Sequence, residues 1–89
     1  MAQYELVAEG KECSGVEISK GRLAKVEECA AQCKNVSSMF MFGIGNKCDS
    51  DGCVCWCEKT ASADGTCYQA DISGYNLYRF VVNGNILFV

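Results

Sequence analysis

The apolar residues of this chain change their spacing along its length, and those changes mark out its elements. Tyr4-Glu5-Leu6-Val7 reads as a short strand that runs out at Gly10, after which Cys13 sits in a loop with Gly15 and Gly21. From about Leu23 the period becomes helical. Leu23, Val26, Ala30 and Cys33 share one face, and Glu27 and Glu28 fall in the first turn, where carboxylates complement the positive end of the dipole. The spacing predicts a helix of about ten to twelve residues that stops near Asn35, a residue tolerant of the left-handed conformation at a helix end. Ser38-Met39-Phe40-Met41-Phe42 is apolar on both faces and reads as a central strand, broken by Gly43 and Gly45. After the Asp51-Gly52 turn signal comes the stretch that organises the rest, Gly52-Cys53-Val54-Cys55-Trp56-Cys57-Glu58. Its alternation makes a strand with Cys53, Cys55 and Cys57 on one face and Val54 and Trp56 on the other. Cys67-Tyr68-Gln69 and Tyr75 to Phe80 are further strand candidates. In residues 80–89, Asn83-Gly84 between two β-branched runs signals a two-residue hairpin.

These elements describe one α+β domain over residues 1–89, a single helix packed on a small antiparallel sheet. Helix sulfurs must meet strand sulfurs, so the Cys53/Cys55/Cys57 face turns toward the helix, joined by Phe40 and Phe42. Val54, Trp56, Met39 and Met41 are left on the opposite face. That face is too apolar to stay bare, so the terminal strands or a partner must cover it.

Composition sharpens this picture through sulfur. Eight cysteines in 89 residues is the density of a small secreted disulfide scaffold, and the even number suits complete pairing. Four bridges at roughly 2–4 kcal/mol each rival the stability of an ordinary domain, which a core this small needs. A zinc or copper thiolate cluster fits less well. There is no histidine and no C-x2-C knuckle, and same-face strand cysteines stand roughly 7 Å apart, too far to be adjacent ligands of one tetrahedral ion. Neither a metal nor any other cofactor is expected.

The net charge is −3, with no basic run to attract nucleic acid or an anionic membrane. No apolar run is long enough to cross a bilayer. Without histidine, Ser-His-Asp and Cys-His catalysis are excluded; no paired carboxylates and no phosphate loop are evident either, so an enzyme is not expected. The disulfide reading places the protein outside the cell, with its leader removed and Met1 an added initiator.

The order of elements resembles the PAN/apple domain, a secreted module built on a helix cross-linked to a central antiparallel sheet. Val26-Glu27-Glu28-Cys29-Ala30-Ala31-Gln32-Cys33 looks like the family's helix, and Met39-Phe40-Met41-Phe42 like its F-x-F/Y strand. Tyr4, Gly10 and Cys13 at one end and Tyr75-Asn76-Leu77-Tyr78 at the other extend the likeness over roughly residues 4–80. The chain departs from the family at Ser37-Ser38, where a cysteine is usual, and adds Cys48, Cys53 and Cys57. By analogy Cys13 pairs with Cys67. The other six carry only constraints. Cys29 and Cys33, roughly 6 Å apart on the helix, suit two i, i+2 cysteines of the 53–57 strand. Cys48 then closes locally with whichever of the three remains, unless a β-bulge alters the spacing.

Candidate recognition residues follow. Trp56 is either a platform for a sugar or protein ligand or a core tryptophan under a terminal strand, and the scarcity of aromatic mass favours the core. Met39 and Met41 beside it suit an adaptable surface, though core filling is the simpler reading. Tyr68, Tyr75, Tyr78 and Arg79 offer a polar-aromatic patch or plain strand residues. Asp49-Ser50-Asp51-Gly52 lacks the further ligands of a calcium loop and reads as a turn. Asn35-Val36-Ser37 is a glycosylation sequon. The segment 80–89 could mediate a homodimer or fold over the open sheet face.

The resemblance implies a secreted binding or adhesion module for an extracellular protein or glycan. The alternatives are a diffusible effector (toxin, inhibitor or water-borne signal) acting through charged loops around Lys11-Glu12 and Lys47 to Asp51, or a self-assembling structural protein of the extracellular matrix.

Overall fold

The computed structural model describes residues 3–81. Its elements are β1 (Gln3–Cys13), β2 (Glu17–Leu23), α1 (Val26–Cys33), β3 (Met39–Gly43), β4 (Cys48–Asp49), β5 (Gly52–Glu58) and β6 (Gln69–Val81), with a 3-10 turn at Gly45–Lys47. All strand pairings are antiparallel, in the order β1-β6-β3-β5-β2, with β4 also paired to β5. The α+β architecture of one helix on a small antiparallel sheet is as the sequence predicts. The expected hairpin at Asn83-Gly84, and any dimer contact made through it, lie outside the described residues.

β3 is central, flanked by β5 and β6, and every one of its residues is buried. Such a strand must be apolar on both faces, because each face packs on a core. On one side Phe40 and Phe42 join Cys29, Ala30, Cys33, Cys55, Cys57 and Phe80 beneath α1. On the other, Met39 and Met41 join Cys13, Tyr75 and Leu77. This second face is covered by the chain itself, through Val7 of β1, Ile72 of β6 and Ala61 and Cys67 of the 59–67 segment. That segment is tied down by the Ser38 hydroxyl, which donates to the Ser62 carbonyl.

Three elements differ from expectation. The sequence places residues 17–23 in a loop, yet β2 forms the edge strand beside β5, with Ile18 opposite Cys57 and Ser19 opposite Trp56. β1 runs on to Cys13 instead of ending at Gly10, which takes a left-handed φ of 66° at a break in the β1–β6 register. α1 is only eight residues long and stops at Cys33, short of Asn35. Its start is secured by Glu28, whose Oε1 accepts the Ala24 and Lys25 amides at 2.9 and 3.0 Å.

The four bridges are Cys13–Cys67, Cys29–Cys55, Cys33–Cys57 and Cys48–Cys53. The helix pair takes the i, i+2 pair Cys55 and Cys57, which leaves Cys53 for Cys48. Two bridges four residues apart on α1 therefore bolt that short helix to β5, which packing of only eight residues would hold weakly.

Candidate functional site

On the second sheet face, outside the buried methionines, lies a surface built on β5. Side chains alternate along that strand, so Val54 and Trp56 both point away from α1, and both are half-buried. Trp56 Nε1 donates to the Tyr75 hydroxyl at 3.2 Å, and the Lys47 ammonium lies over the Tyr75 ring, 5.7 Å from its centroid. Arg22, opposite Val54 in the β2–β5 ladder, donates to the Lys47 carbonyl at 2.9 Å, and its Nε lies 3.5 Å from Asp49 Oδ2. An indole with its polar edge engaged, an aliphatic neighbour and two cationic side chains thus share one face of a cross-linked strand. Such a surface can stack on a flat apolar ligand face while the Lys47 ammonium meets acceptors at the rim.

The other proposed recognition residues are dispersed. Met39 and Met41 are enclosed at 0 and 1 % exposure, so they fill core and present no surface. Tyr75 is also buried and serves as support for Trp56. Tyr78 lies on the opposite face, stacked on Phe40 at 5.1 Å with Tyr4 edge-on at 5.7 Å. Arg79 is paired with Glu5 on β1. Tyr68 stands alone and exposed. The Asp49 carboxylate accepts the Asp51 amide at 2.8 Å, which makes the 49–52 stretch an Asx turn. Asn35 is exposed in the turn after α1, while the sequon's Ser37 is buried and its hydroxyl donates to the Met39 carbonyl at 2.6 Å.

No protein-family model, curated protein or solved structure matches the chain.

One group of side chains was missed at the level of sequence, where no paired carboxylates were evident. Glu17 and Glu58 are direct partners in the β2–β5 ladder, and Glu12 of β1 lies close by. Glu58 is fully buried, and its Oε2 accepts the Cys13 amide at 2.5 Å. Burial, a hydrogen bond with Glu58 and the negative charges of Glu58 and Glu12 push the Glu17 carboxyl up to about 9. Burial also raises Glu58, although its bonds from Glu17 and the Cys13 amide oppose the shift. The two carboxyls face one another across the ladder, and Glu17 Oε2 and Glu58 Oε1 are both buried without a hydrogen-bond partner among the described residues.

Every cysteine sulfur is consumed in a bridge, so none of the cysteines is a free thiol. Cys29, Cys33 and Cys55 Sγ atoms lie within 4.8 Å of one another because two disulfides run side by side. No helix among the described residues is long and apolar enough to cross a membrane.

Proposed function

We propose that the protein is an extracellular, non-enzymatic binding module of PAN/apple-like design. On this reading it holds a protein or carbohydrate ligand on the Trp56 face. The observation that carries the reading is Trp56 itself, the only tryptophan in the chain, half-open on a covalently anchored strand with its N–H held by Tyr75. A rigid aromatic platform loses little freedom on binding, so most of its contact energy goes into affinity. Lys47 favours a ligand with carboxylate, sulfate or hydroxyl groups at its edge, while Arg22 is held by Asp49 and the Lys47 carbonyl. Four disulfides suit an oxidising compartment. The effector reading gains less at Lys11 and Asp49, which are tied to Asp71 and Arg22 within the protein.

The test is a glycan and extracellular-matrix array probed with the wild type and with Trp56→Ala. The wild type is expected to bind at least one class of ligand, and the variant to lose about 2 kcal/mol or more of affinity while retaining all four bridges by mass. Binding undiminished in a folded Trp56→Ala protein rejects this surface. Silence across the array turns attention to soluble receptors and channels.

A further inference from the structure

We propose that Glu17 and Glu58 hold one proton between them, forming a base-sensitive latch that closes the β2 edge and the Ser14–Val16 crossover onto β5.

The geometry leaves few other ways to satisfy the pair. Residues directly opposite in an antiparallel ladder have side chains on the same face about 5 Å apart, and like charges there repel. Glu58 is 0 % exposed. Its Oε2 has the Cys13 amide, but its Oε1 and the Glu17 Oε2 are both buried with no protein donor among the described residues. Two such oxygens without a donor carry a large desolvation cost, whereas a single proton makes each the partner of the other.

Among the described residues no cation is paired with either glutamate. From β1 comes Glu12, which adds a like charge, while neighbouring Lys11 is engaged with Asp71 of β6. From β3 comes neutral Met39, against the Cys13 sulfur. From β6 comes neutral Gln69, opposite Cys13. Lys59 and Asp64 of the covering segment are exposed. The same spot anchors the crossover, since the Lys59 amide donates to the Val16 carbonyl at 3.0 Å and the Thr60 hydroxyl to the Ser14 carbonyl at 2.9 Å. Two full charges placed there would push β2 and the crossover away from β5.

In the unfolded chain both glutamates release their protons in the ordinary range near 4.3. The folded pair keeps one proton far above that, with Glu17 at about 9. Between those values the folded state binds more protons, so the latch's contribution is fully present in acid and is lost as pH rises toward about 9.

Guanidinium unfolding of the oxidised protein between about pH 5 and pH 9 tests this. The wild-type midpoint is expected to fall steadily over that range. Glu17→Gln, whose amide supplies a permanent donor to Glu58, is expected to flatten the decline and exceed the wild type at the alkaline end. A flat wild-type profile, or an unchanged slope in Glu17→Gln, overturns the latch. Infrared spectra of the folded wild type at neutral pH give an independent reading should that variant fail to fold. A protonated-carboxyl C=O band is expected, kept in Glu12→Gln, and its absence overturns the proposal. Calcium chloride at millimolar concentration is the last arm. A midpoint raised by calcium in the wild type but not in Glu17→Gln would assign the pair to a cation and overturn the shared proton.

Discussion

Gly52 shows how much of this fold hangs on single positions. It turns the β4–β5 hairpin with φ at 114°, and a Cβ there would lie 2.4 Å from the Leu23 carbonyl oxygen at the end of β2. Gly52→Ala therefore meets both a disfavoured backbone and a collision with main chain. We expect it to destabilise the protein by about 2 kcal/mol or more, read as a lower guanidinium midpoint, and an unchanged midpoint would show the hairpin yielding freely. The Asp51-Gly52 dipeptide advertised this turn in the sequence. Nothing comparable announced Glu17 and Glu58, because their contact depends on the register of two strands distant in the chain. Periodicity places a residue on a face of its own strand, but says nothing about what stands opposite. Trp56 was legible as to face for that same reason, and its partner Tyr75 was not.

At the level of elements, what the sequence revealed were the strongly periodic pieces: the Cys29/Cys33 helix, the two-faced β3 and the cysteine strand β5. β2 escaped because an edge strand needs only one partner. Its Glu-Ile-Ser-Lys-Gly-Arg-Leu carries too many polar residues and a left-handed Gly21 to look like sheet. The ends of β1 and β6 escaped because Gly10 and Gly74, both with positive φ, look like stops yet lie within continuous strands. The bridges joining these elements should differ in weight. Cys13–Cys67 spans 54 positions and Cys48–Cys53 only 5. Chain-entropy arguments assign about 4 kcal/mol to the first and about 2 kcal/mol to the second. Replacing each pair by alanines should reproduce that order in unfolding midpoints, and a reversed order would mean that native contacts around Cys48 outweigh loop closure.

Across the whole molecule, a sheet with a core on each face explains how 89 residues can hold a fold with so little helix. The helix-side core is riveted by two bridges, and the far core is capped by the outermost one. Because Cys13 and Cys67 embrace everything between them, a protease that hydrolyses one peptide bond in that interval, for instance after exposed Lys59, liberates no fragment. The clipped molecule should weigh one water more and migrate as a single species until a reductant is added. Two pieces on a non-reducing gel would contradict this. Scission that leaves every part tethered lets a small domain outlast digestion in fluids where intact backbones are short-lived.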